Sequence, residues 1–75
     1  MIAVYFISID QKYNLPVPCL SSDIFSKIEE KLYIEYSELK GKNIYFIAKG
    51  NLVNKSTSLE ENKIKNGVQI IINYE

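Results

Sequence analysis

The side chains able to do chemistry are few, and their spacing limits what they can do. The 75-residue chain has no His and a single cysteine, Cys19. Without an imidazole, the usual general base near neutral pH is missing. Cys19 therefore lacks the partner that would activate it as a nucleophile, and it reads as a small buried hydrophobe. One thiol also excludes an internal disulfide, leaves no soft-metal cluster and suits a reducing compartment. Glu29-Glu30 and Glu60-Glu61 are adjacent acidic pairs. Helical neighbours diverge by about 100°, so neither pair converges on a substrate, and both read as solvated surface. Only Gly41, Gly50 and Gly67 are present, which rules out a Gly-rich phosphate loop. No catalytic residue, metal site or cofactor is expected, and the chain reads as a non-enzyme.

Charge narrows the partner class. All nine basic residues are Lys, and nine acidic residues bring the net charge to zero. Without Arg there is no bidentate fork for phosphate or guanine, so nucleic acid is disfavoured. Ile2 to Ile9 is apolar but too short to span a membrane, and it lacks a basic flank and a cleavage site. These features point to a cytoplasmic protein whose partners are other proteins.

The elements follow from periodicity. The chain length fits one domain, residues 1–75. Ile2 to Ile9 reads as a strand with neighbours on both sides, and Asp10-Gln11-Lys12 as a hairpin loop. Tyr13, Leu15, Val17 and Cys19 alternate with polar or proline positions, which predicts a strand with its apolar face on the odd residues. Pro16 and Pro18 lack N–H groups on the same side, so this strand must be an edge. Ser21-Ser22-Asp23 offers helix caps, and Ile24, Phe25, Ile28 and Leu32 fall on one face of a helix over about residues 22–33. Ile44 to Ala48 is a third strand, Lys49-Gly50-Asn51 a turn, and Leu52-Val53 a short strand. Leu59 to Lys63 reads as one helical turn capped by Ser58, Asn66-Gly67 as a turn, and Val68 to Tyr74 as the last strand.

This ββαββ order predicts an α+β fold, a mixed sheet with one helix packed across it. In Phe46-Ile47-Ala48-Lys49-Gly50-Asn51-Leu52 the chain resembles the ubiquitin-like β-grasp family, whose counterpart reads Ile-Phe-Ala-Gly-Lys-Gln-Leu. Leu59 and Ile64 keep the family's five-residue spacing, and Ile70 and Ile72 match its two core positions on the closing strand. The resemblance implies a recognition patch on the sheet face away from the helix. It places Phe46, Ile71 and Asn73 there, with Ile9 near the hairpin tip and Tyr5 or Ile7 as extensions. A one-residue slip in register would instead put Phe46 in the core and Tyr45 outside. Lys49, beside the third-strand turn, completes the candidate partner-binding set and is also a candidate acceptor lysine, an ordinary surface lysine being the simpler account.

The expected function is a non-enzymatic ubiquitin-like module that docks proteins through this patch. The chain departs from conjugating members of the family in ending on Asn73-Tyr74-Glu75 without Gly-Gly. Alternative readings are a modifier or sulfur carrier whose Gly-Gly tail is absent from this chain, a tail-less component of a bacterial secretion or assembly system, or a structural domain of a larger protein.

Overall fold

Alternating apolar residues fix which faces the strands share. In the computed structural model, which describes residues 1–74, five strands form one sheet. They are β1 (Ile2–Ser8), β2 (Asn14–Cys19), β3 (Ile44–Ala48), β4 (Asn51–Leu52) and β5 (Gln69–Tyr74), in the spatial order β2-β1-β5-β3-β4. The two middle strands, β1 and β5, run parallel, and the other pairs are antiparallel. Helix α1 (Phe25–Glu35) and a short 3₁₀ helix (Ser37–Gly41) lie between β2 and β3 in the chain. The expected mixed sheet with one helix is present, with five strands where ββαββ counts four, the short β4 being the addition to that count.

The inner sheet face carries Val4, Phe6, Val17, Phe46, Ile70 and Ile72, all buried. Phe25, Ile28 and Leu32 of α1 close over it at the three- and four-residue spacing of one helical face. Phe6, Phe25 and Phe46 meet edge to face with ring centroids 5.0 to 6.0 Å apart. Each such pair contributes about 0.5–1.5 kcal/mol beyond the area it buries.

β2 is the edge strand that its prolines require. The Asn14 and Pro18 carbonyls accept hydrogen bonds from Tyr36 Oη (3.0 Å) and Lys31 Nζ (3.4 Å), so the even-numbered backbone groups face away from β1. Tyr13, Val17 and Cys19 are buried and Leu15 is half-buried, as the alternation predicts.

The helix start corrects the expected capping. The residue preceding α1 is Ile24, and no side chain caps it. The first free N–H groups are taken by backbone instead: Phe25 N–H donates to Thr57 O (2.9 Å) and Ser26 N–H to Lys55 O (3.1 Å). Asp23 is used elsewhere, accepting from Leu20 N–H at 2.9 Å. The 55–57 loop thus does the work assigned to Ser21-Ser22-Asp23. The turn after Ser58 behaves as expected. Ser58 Oγ accepts from Glu61 N–H (3.1 Å) and Glu61 Oε1 accepts from Ser58 Oγ (3.1 Å), a reciprocal capping arrangement.

Glu29 is a second correction. It is 8% exposed rather than solvated. It accepts hydrogen bonds from Tyr33 Oη and from Lys55 Nζ, the latter at 3.1 Å. Lys55 Nζ also donates to Ile44 O (3.0 Å) and sits 5.2 Å from the Phe46 ring centroid. One ammonium therefore ties the helix to the free side of β3 and satisfies a carboxylate that burial would otherwise penalise. Burial, with Glu29 alongside, pushes the Tyr33 hydroxyl well above its ordinary range.

Candidate functional site

The register of the strands builds the outer sheet face. Ile7 lies opposite Ile71, Ile71 opposite Ile47, and Ile47 opposite Leu52. All four point away from the helix, since their neighbours Phe6, Ile70, Ile72, Phe46 and Ala48 are buried on the other side. The result is one aliphatic row crossing four strands. Ile7, Ile47 and Ile71 are half-buried by one another, and Leu52 is 67% exposed at the open end. Tyr5 (opposite Gln69) and Tyr45 (opposite Asn73) flank the row and are exposed. Asn73 stays in place by donating from its own amide to Ile71 O at 3.4 Å.

The candidate residues divide as follows. Ile71 lies at the centre of the row, and Asn73 lies one strand position beyond on the same face. Ile9, just past β1, is 71% exposed. It borders two shallow clefts, one shared with Ile7 and Ile71 and the other with Tyr45 and Asn73. Lys49 sits at the opposite end of the face, and a third shallow cleft joins it to Ile71. Phe46 does not belong with them. It is 0% exposed, at the centre of the aromatic triangle, and the outward position belongs to Ile47.

The β3–β4 turn explains the difference. Its two central residues are Lys49 (φ 51°) and Gly50 (φ 78°), with Ala48 opposite Asn51. A two-residue hairpin with both φ positive fixes Ala48 as the last inward residue, hence Phe46 inward and Ile47 outward. Aligning the family's Ala-Gly-Lys on Ala48-Lys49-Gly50 by letter displaces the strand by one position. Sequence reasoning missed Ile47 and Leu52 for the same reason. The available signal was the tyrosine. On a strand reading Ile-Tyr-Phe-Ile-Ala, the face holding the phenolic hydroxyl is the wet one.

The hairpin tip beneath Ile9 is rigidly built. Ser8 Oγ donates to Asp10 Oδ1 (2.6 Å) and accepts from Tyr13 N–H (3.0 Å). Tyr74 Oη donates to Asp10 Oδ2 at 2.6 Å, joining the end of β5 to the tip. The Ser8 and Tyr74 hydrogen bonds lower the Asp10 carboxyl to about 2, and the Asp10 bond raises the Tyr74 hydroxyl to about 12. Cys19 is buried, and burial followed by the Asp23 charge raises its thiol above the ordinary value, which disfavours the nucleophilic thiolate.

No family model matches the chain, and no curated protein matches it in sequence. Solved structures do match its shape. A de novo designed protein based on ubiquitin superposes with a TM-score of 0.81 at 20% identity, over 99% of this chain and 88% of that one. The ubiquitin-like domain of an Arabidopsis thaliana protein, solved by NMR in solution, also gives a TM-score of 0.81. It does so at 15% identity, over 97% of this chain and 76% of that one. The fold is the ubiquitin-like β-grasp.

Proposed function

We propose that the chain is a non-enzymatic, cytoplasmic interaction module that docks a partner protein against its outer sheet face. The observation that carries this reading is the row Ile7–Ile71–Ile47–Leu52, four aliphatic side chains set side by side by strand register, three half-buried and Leu52 exposed. Single exposed apolar residues are ordinary on a protein surface, whereas a contiguous row flanked by two tyrosines has the composition of an interface centre. Asn73, Ile9 and Lys49 form its rim.

Replacing Ile47 and Ile71 together by Thr tests it. Both changes keep the β-branched shape that strands favour, and the fold persists with a two-state melt. Affinity for a partner captured by the native chain should fall at least about tenfold, the loss of about 1.4 kcal/mol from two central contacts. Equal affinity of the folded double variant, measured by calorimetry, would remove the outer face from the binding site.

A further inference from the structure

A second concave surface lies at the side of the molecule, away from the centre of the aliphatic row. It is a cleft of about 510 Å³ between the start of β1, the β3–β4 turn and the 60–66 segment. Its floor is apolar: Ile2 is half-buried, and Ala48 and Ile64 are nearly covered beneath it. Its rim carries Lys49, Lys63 and Lys65 against the single carboxylate of Glu60. The whole chain has zero net charge, so three of its nine ammonium groups gathered here are a segregated positive field. Among the described residues, none of the three makes a salt bridge.

The walls are fixed before any ligand arrives. Asn66 Oδ1 accepts from Ala3 N–H (2.9 Å), and Gly67 N–H donates to Ala3 O (2.8 Å), which clamps the 65–67 turn to β1. Asn62 accepts from Asn54 N–H (2.8 Å) and donates to the carbonyls of Asn54 and Ser58 (both 2.9 Å). Asn62 and the Asn66 side-chain oxygen thus serve structure, and the three lysines supply the free charge on the rim. Two of those lysines also occupy unfavourable backbone. Lys49 (φ 51°) and Lys63 (φ 59°) are in the left-handed region, where Gly or Asn is the better residue. A long cationic side chain at both positions works against local stability.

We propose that this cleft docks an acidic, extended peptide segment of a partner protein, seating one aliphatic or aromatic side chain against Ile2 while its carboxylates meet Lys49, Lys63 and Lys65. The apolar floor and three separate point charges around a rim fit this occupant. A phosphate would be served by converging donors such as an Arg fork or a Gly-rich loop, which the chain lacks. The volume lies within the range of ordinary ligand pockets, about 300–1,000 Å³.

The test is an amide NMR titration of the intact ¹⁵N-labelled chain. The probes are blocked pentapeptides of Glu and Asp around a central Leu, Ile or Phe, the same peptides with Lys in place of every acid, and inorganic phosphate. The acidic peptides should shift Ile2, Ala48, Lys49 and Lys63 to Asn66, leave Ile7 and Ile71 unmoved, and lose their effect in about 1 M salt, where screening acts over about 3 Å. Lys49→Asn and Lys63→Asn should each raise the melting temperature by relieving the backbone, yet weaken peptide binding about fivefold, the effect of one charge pair at contact in water. Their higher stability excludes unfolding as the cause. No cleft shifts with any acidic peptide at millimolar concentration, equal shifts with the Lys peptides or with phosphate, or unchanged binding by the two variants would each overturn the proposal. Because the shifts are mapped by residue, failure here is distinct from failure of the sheet-face reading.

Discussion

The two faces of the sheet are made of nearly the same residue types and meet opposite fates. Phe46 and Ile47 are neighbours, as are Ile70 and Ile71, yet the first of each pair is fully buried and the second is half-open. Composition does not separate them. Parity does, together with the presence of α1 on one side only. On the inner face, aliphatic and aromatic groups are covered by Phe25, Ile28 and Leu32 and sustain the fold. On the outer face, the same chemistry is held side by side by register and stays partly open to solvent. The contrast teaches that an apolar strand in a small domain can sustain the core with one side and hold an aliphatic row at the surface with the other.

That contrast is broken most strongly by exchanging its members. Phe46→Ala opens a cavity inside the aromatic triangle and should cost about 3–5 kcal/mol, most of the stability of a domain this size. Ile47→Ala, one residue along, should cost about 0.5–1 kcal/mol, the scale of a cross-strand pair. Chemical denaturation of the two variants, side by side, measures the difference. Similar losses would mean that the two faces are not distinct.

The covered side is sharpened by Lys55→Ala. That variant takes the counter-charge from buried Glu29 and the donor from Ile44 O. The Lys55 side chain is itself 39% exposed, so screening reduces the effect to about 1–2 kcal/mol. Glu29→Gln in the Lys55→Ala background should recover part of it, because the uncompensated carboxylate is then gone. Non-recovery would show that Lys55 acts through its contacts with Ile44 O and Phe46 instead.

The smallest effect is at the hairpin tip. Asp10 has its folded pKa lowered to about 2 from 3.8, so its contribution is present above pH 4 and lost as pH falls toward 2. Tyr74 has its folded pKa raised to about 12 from 10, so its contribution is present below pH 10 and lost as pH rises toward 12. Tyr74→Phe should remove this share of the alkaline loss, leaving that of Tyr33, and move the Asp10 titration upward, which carboxyl NMR reads directly. An Asp10 titration unmoved in that variant would leave Ser8 Oγ and the Lys12 N–H (3.0 Å) as the partners that set it.

Much of the fold was legible in the sequence because the punctuation agreed with the periodicity. Pro16 and Pro18 identified the edge, Leu59 and Ile64 the closing segment, and Ile70 and Ile72 the inward positions of β5. The candidate site was legible only in part. Ile71, Asn73 and Ile9 lie on or beside the outer face, but Phe46 was exchanged with Ile47 because letter matching across the turn ignored the backbone requirement at Lys49 and Gly50. Glu29 and the helix start were hidden for a different reason. Their partners, Lys55 and the Thr57 carbonyl, are more than 25 residues away, and local capping rules cannot register a cap supplied by a distant loop.

The most direct test of the docking surface is site-specific photo-crosslinking in the cell of origin. A benzophenone amino acid replaces Tyr45 or Leu52 at the edge of the aliphatic row, or Ile34, an isolated residue 82% exposed on the helix. The outer-face account predicts discrete heavier adducts from positions 45 and 52 and none from 34. Adducts from position 34 alone would place the partner on the helix and contradict it.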